Sequence, residues 1–358
     1  MRPMAFAALF APIVFGAACG GRNDSGGVAA DAGLADGDAG NSLPAEPVPL
    51  LDAGNEYLGL LTFDDAYVYA ALFNPLVGDI SCTWTGRWVR IAKDGSSSTP
   101  LGDVPTCVLH TAARADIVDD AIYWLDYPGA GTPAMATALM KLPKTGGTTT
   151  EVARFAGYAF DNFGTDGRSF FVTDIGSGTV DNPDGIVARI EKDGTMTKLA
   201  VQQIVPRWVG VTSTDVVWST LDDCSIGNSP PCRSTTFKRA STAGGAPTPV
   251  GNVPAPIVYP TTVANGAVYF YDGAGNVRRL PLDGSAATSI PAPWRKVDTD
   301  RIRVSGEEIV ATEGSNPYGL LGTPNGLYLP LIDNPTIEVD ARFVYASSRS
   351  TIVKLAFR

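Results

Sequence analysis

The chain contains a single histidine, His110, in 358 residues. A Ser-His-Asp or Cys-His arrangement would have to use it as the base beside the nucleophile. No Gly-x-Ser-x-Gly turn is present to nominate a serine. His110 stands close to Cys107 in what reads as a connection, so the plain reading is a surface-loop residue. One histidine also disfavours metal sites built from several imidazoles. Cations are in short supply too: Lys and Arg number 27 against 37 Asp and Glu, a formal net charge of −10. Affinity for nucleic acid comes from Lys and Arg neutralising phosphates. Neither nucleic acid nor an anionic membrane met through a basic patch is therefore an expected partner. The apolar stretch from Met4 to Gly16 is shorter than the ~20 residues a spanning helix needs.

That stretch reads instead as a targeting segment over residues 1–19. Arg2 supplies a positive start, Met4 to Gly16 the apolar part, and Gly16-Ala17-Ala18 the small residues before Cys19. The pattern resembles the lipobox of bacterial lipoproteins, with Gly16 where a branched residue is usual. The resemblance implies a lipidated Cys19 at the new N-terminus, and Gly20 after it implies the outer membrane. Ordinary signal-peptide cleavage at an Ala-x-Ala-like site is the alternative. Residues 20–46 follow with seven Gly, six Ala, four Asp and no aromatic residue. Such a segment cannot bury enough apolar surface to offset chain entropy. As a flexible tether it would reach roughly 29 Å.

Residues 47–358 carry a repeat. A large apolar residue just after a turn recurs at Tyr69, Tyr123, Phe171, Trp218, Tyr269, Val310 and Tyr345. A basic residue with Gly five positions later recurs as Arg90 and Gly95, Lys141 and Gly146, Arg189 and Gly194, Arg239 and Gly244, Arg279 and Gly284. Lys354 repeats the basic position, and the sixth unit lacks it. The most compact copy, Val263 to Pro291, holds the hairpin signal Asn265-Gly266 and alternating strands around it. Each unit is about four short strands, and a single small sheet cannot bury both of its faces. Stacking the sheets around an axis solves this. The expected fold is all-β: a seven-bladed β-propeller, with six blades as the alternative count and a two-layer sandwich as the alternative architecture. An N-terminal strand near Pro47 to Leu51 would supply the outer strand that the last unit lacks and so cover an open edge.

At these columns the chain resembles the YWTD repeat of low-density-lipoprotein-receptor-type propellers. Tyr123-Trp124-Leu125-Asp126 and Phe171-Val172-Thr173-Asp174 carry most of the likeness. Tyr69-Ala70-Ala71-Leu72, Trp218-Ser219-Thr220-Leu221 and Tyr345-Ala346-Ser347-Ser348 depart from it. That family closes with six blades, whereas seven units are counted here. The resemblance implies the fold and assigns the motif aspartates to bonding the next strand. It implies no activity. One histidine also disfavours the paired-histidine lyases that some seven-bladed propellers resemble.

With strands lettered a to d from the axis outward, b–c loops share a face with the d–a connections. The b–c loops of units one to four are long, near 74–85, 127–136, 175–184 and 221–234; those of units five and seven are short. Surface loops on a rigid scaffold are where binding residues sit. The expected binding face is Asp79, Trp84, Asp126, Tyr127, Asp181, Asp184, Asp222 and Asp223. With Cys19 set aside for lipid, four cysteines remain, allowing three pairings. Loop positions select Cys82–Cys107 and Cys224–Cys232, bonds that suit an oxidising envelope and contribute roughly 2.5–3.5 kcal/mol each. No catalytic, cofactor or metal ligand is nominated. Calcium is the one candidate ion, through turn carboxylates, and Asp116, Asp161, Asn162 and Glu338 on inner strands are too scattered in sequence to define a site.

The sequence thus points to a monomeric, lipid-anchored module of the bacterial cell envelope that binds a protein, peptide or glycan at the cell surface. A divalent-metal propeller hydrolase or lactonase and a purely structural envelope protein are the competing readings.

Overall fold

The computed structural model describes residues 48–74, 86–104, 114–128, 136–158, 160–176, 182–222, 234–254, 261–272, 276–290, 302–306, 308–313, 318–322, 329–332, 337–340, 342–348 and 351–356. Everything below concerns these residues. Their regular structure is entirely β, in seven four-stranded antiparallel sheets, one for each repeat. Blade 1 is Tyr57–Phe63, Tyr67–Phe73, Gly86–Ala92 and Ser98–Val104. Blade 2 is Ala115–Val118, Ala121–Asp126, Ala136–Pro143 and Thr150–Ala156. Blade 3 is Phe160–Thr165, Phe170–Asp174, Gly185–Ile190 and Met196–Gln203. Blade 4 is Pro206–Val211, Asp215–Asp222, Ser234–Ser241 and Thr248–Val253. Blade 5 is Thr262–Ala264, Ala267–Tyr271, Val277–Pro281 and Thr288–Ser289. Blade 6 is Ile302–Ser305, Glu308–Glu313, Tyr318–Gly322 and Leu329–Ile332. Blade 7 is Ile337–Val339, Phe343–Ser348 and Thr351–Ala356, completed on its outer edge by Val48–Asp52 from the start of the chain. The expected closure is therefore present, with Val48 opposite Lys354 and Asp52 opposite Thr351.

The core lies between blades. Side chains alternate across a strand, so strand b, with a blade on either side, is buried on both faces. In blade 2 Tyr123 and Leu125 pack toward Phe163, Phe170 and Val172 of blade 3. Trp124, between them, packs toward Trp88 of blade 1, with ring centroids 5.4 Å apart. One such cluster fills each junction, including Val310 of blade 6 with Val344 of blade 7, and Tyr345 of blade 7 with Val68 and Ala70 of blade 1. The circuit of packed blades is closed, and the fold is a β-propeller. Outer strands bury far less: Ser98–Val104 covers only Leu101 and Val104.

The basic column and its glycine have a physical origin in this packing. Each glycine closes the turn between strands c and d with a positive φ, from 75° at Gly95 to 101° at Gly244. Its N–H donates to the carbonyl three residues back, as from Gly95 to Ala92 and from Gly194 to Glu191, both at 2.9 Å. A left-handed conformation costs side-chain-bearing residues about 1–2 kcal/mol, which selects glycine. Three of the six basic residues are seen to reach into the next blade's turn, Arg90 among them through the Lys144 carbonyl at 3.4 Å. Lys354 donates to the Lys93 carbonyl at 2.8 Å and Arg189 to the Thr242 carbonyl at 2.9 Å.

A second stitch runs between the same turns and the a–b turns of the preceding blade. Lys93 pairs with Asp340 at 2.6 Å, Lys144 with Asp64 at 2.9 Å and Lys192 with Asp119 at 2.5 Å. Asp64 and Asp340 also accept bonds from the hydroxyls of Tyr69 and Tyr345, each at 2.9 Å. Partial burial alone would raise these two carboxyls. The bonds from lysine, tyrosine and two backbone amides outweigh it and hold both below the usual carboxylate range.

Candidate functional site

All seven strands a enter from the d–a connections, so their first residues ring one mouth of the central channel. The second residue of strand a is charged in five of the seven blades: Asp116, Asp161, Arg207, Arg303 and Glu338. Blades 1 and 5 carry Leu58 and Val263 there. Strand pairing is irregular at this end in blades 1, 3 and 4, between Leu58 and Leu60, Phe160 and Asn162, and Pro206 and Val209. Such bulges bend a strand at the rim of a closed sheet.

Three side chains of this layer, Asp116, Arg303 and Glu338, form one electrostatic group with Arg114, which directly precedes strand a of blade 2. Arg303 of blade 6 holds Glu338 of blade 7 in a two-pronged pair: Nε donates to Oε2 at 3.2 Å and Nη2 to Oε1 at 2.8 Å. Both side chains are less than one-fifth exposed. Arg303 Nη1 also donates to the Ile302 carbonyl at 3.1 Å. On the other flank of blade 1, Arg114 Nε lies 3.3 Å from Asp116 Oδ2. The two are a charge pair without the alignment of a hydrogen bond, and neither atom has another partner. Burial, followed by repulsion from Glu338, raises the Asp116 carboxyl against the pull of Arg114 and Arg303. The Arg114 guanidinium is shifted up, first by Asp116.

The inner-strand carboxylates that looked scattered in sequence are thus brought together in part. Asp116 and Glu338 converge, but an arginine faces each. No group of three or more metal-ligating side chains occurs among the described residues. Sequence reasoning did not select Arg114 and Arg303. For Arg303 the usable signal was positional, a charge at the second place of five of the seven inner strands; Arg114, just before its strand, has no such signal.

The expected binding face needs correction at two positions. Asp126 and Tyr127 are buried, at 5% and 6% exposure. The Asp126 carboxylate accepts the Tyr127 N–H at 3.0 Å, and the Tyr127 hydroxyl donates to the Phe160 carbonyl at 2.6 Å, joining blade 2 to blade 3. The reason is that strand b is still inside the stack where it ends, so its last residues face neighbouring blades. Asp184 is exposed immediately before strand c of blade 3. Asp222 ends strand b of blade 4, paired with Ser234. Asp79, Trp84, Asp181, Asp223, His110, Cys19, Cys82, Cys107, Cys224 and Cys232 lie outside the described residues. Trp88 sits in strand c of blade 1, fully buried. At the matching place in blade 5, Tyr269-Phe270-Tyr271-Asp272, the Asp272 carboxylate accepts a bond from Arg278 of the next strand at 3.4 Å.

No protein-family model and no curated protein matches the chain. Solved structures resemble it in fold. Virginiamycin B lyase from Staphylococcus aureus, solved as a catalytically inactive variant with quinupristin, superposes with a TM-score of 0.60 at 14% identity, over 87% of this chain and 99% of that one. YCF48 bound to D1 peptide superposes with a TM-score of 0.55 at 10% identity, over 88% and 97%. The acylaminoacyl peptidase of Pyrococcus horikoshii gives 0.56 at 10% identity, over 85% of this chain and 52% of that one. At such identities the likeness establishes the β-propeller fold alone.

Proposed function

We propose that this protein is an exported, lipid-anchored β-propeller of the bacterial cell envelope that binds a protein or peptide through one face of its ring. The observation that carries the reading is the one-sided distribution of chain between strands. On one face, strands b and c of blades 1 to 4 are joined by 74–85, 127–135, 175–184 and 223–233, whereas 349–350 suffice in blade 7. The opposite face is built from short turns such as 119–120 and 265–266, and is occupied by the lysine–aspartate stitches between blades. Surface loops on a rigid scaffold are where binding residues concentrate. YCF48, a similar ring, was solved with a peptide bound, which supports a peptide as the partner class. Lipidation at Cys19 and an outer-membrane address rest on the leader sequence. A glycan partner fits the same face and is separated from a peptide by the competitor used.

The test replaces 223–233 with Asn-Gly. Asp222 and Ser234 are register partners, so a two-residue hairpin connection fits there. The variant should fold as the wild type does and lose capture of the envelope partner that the wild type retains. Equal capture by both would refute the face assignment. Mass spectrometry of membrane-extracted protein should show a diacylated Cys19, and an unmodified N-terminus would remove the anchor from the proposal.

A further inference from the structure

We propose that the channel mouth is a carboxylate-binding site whose donor is the guanidinium of Arg114. Arg114 directly precedes strand a of blade 2, at the mouth that carries the long connections. A guanidinium offers five N–H donors in a fixed fork that matches the two oxygens of a carboxylate. At three other arginines that fork is satisfied from within. Arg303 is held by Glu338, Arg87 by Glu56 and Arg154 by Glu151, each through two or more hydrogen bonds. Arg114 differs. Its polar contact among the described residues is the misaligned Asp116 oxygen, and its side chain is 40% exposed. Its Nε is drawn to Asp116 by charge, and its terminal amines make no hydrogen bond among the described residues.

The surroundings choose the ligand class. Asp116 and Glu338 stand beside Arg114 and repel anions, and repulsion grows with the ligand's charge. A singly charged carboxylate is accepted more readily than a doubly charged phosphate. A two-pronged arginine–carboxylate pair is also among the stronger hydrogen-bonded contacts available to a protein. Two sources share this chemistry, a small organic acid and the C-terminus of a peptide. This site stands on the channel geometry and not on the loop face, so either can fail without the other.

The experiment titrates the full chain with acetate, N-acetyl-dialanine, the C-terminal amide of that dipeptide, and inorganic phosphate. The readouts are calorimetry and the arginine Nε–Hε resonances. Both carboxylates should bind saturably and shift the Arg114 resonance; the amide should not. Arg114→Gln should weaken binding at least about tenfold, the scale of one lost charged hydrogen bond. Arg114→Lys, which keeps the charge and loses the fork, should fall between. Tighter binding of the dipeptide than of acetate assigns the source to peptide C-termini, and equal binding to free acids. The site is refuted if the amide binds as well as the acid, if phosphate outcompetes acetate, if no carboxylate gives a saturable response at tens of millimolar, or if Arg114→Gln binds unchanged. Should that variant fail to fold, the wild-type comparison of acid with amide decides by itself.

Discussion

Ring closure concentrates stability in one short stretch, where Lys93 of blade 1 meets blade 7. The Lys93 ammonium donates to Asp340 at 2.6 Å, and Asp340 also accepts the amides of Arg342 and Phe343, each at 2.8 Å, and the Tyr345 hydroxyl at 2.9 Å. The same ammonium lies 4.5 Å from the centroid of the Phe63 ring and 4.9 Å from that of Tyr345. The pair is mostly shielded, with 14% of Lys93 and 21% of Asp340 exposed. Removing one partner of a shielded pair costs about 3 kcal/mol or more, because the other charge is left uncompensated. Asp340→Ala should therefore lower stability by roughly 3 kcal/mol. Glu151→Ala breaks the exposed pair with Arg154 and should cost under about 0.5 kcal/mol. Urea unfolding followed by tryptophan fluorescence measures both. A double-mutant cycle with Lys93→Met should return a coupling of about 1 kcal/mol or more. A coupling below about 0.3 kcal/mol, or equal costs for Asp340→Ala and Glu151→Ala, would refute the claim that this stitch fastens the ring.

Acid should loosen the same stitches. Asp64 and Asp340 have folded values below the ordinary 3.8, so their contribution is complete above the unfolded value and is lost as pH falls through the folded one. Unfolding free energy should decline over that acid range, and less steeply in Asp340→Asn. Gly146→Ala should be worse than Gly244→Ala in unfolding midpoint. Both carry positive φ, but a Cβ at Gly146 meets the Leu101 carbonyl oxygen at 2.9 Å, whereas at Gly244 the nearest atom is 3.9 Å away. Trp124→Ala should cost about 3–5 kcal/mol, and Val201→Ala, at a half-exposed position, close to nothing on the same urea curve. Non-reducing peptide mapping of exported protein should recover Cys82 with Cys107 and Cys224 with Cys232; any other pairing removes the loop placement behind them.

The sequence by itself determined the repeat, the all-β class, the strand positions and the closing N-terminal strand. These are local or periodic properties. Strand alternation, a glycine that alone tolerates positive φ, and an Asn-Gly hairpin are each written within a few residues. The five-residue offset between basic residue and glycine was visible, but its cause was not. Arg90, Arg189 and Lys354 of this column bond the turn of the next blade, far away along the chain. The tertiary structure also decided which polar residues are accessible. Asp126 and Tyr127 end a strand that is enclosed on both sides, so positions that looked like a loop rim are interior. It alone united Arg114, Asp116, Arg303 and Glu338. They stand on three blades and meet because closing the ring brings the starts of distant inner strands to one mouth, a juxtaposition that no spacing along the chain encodes.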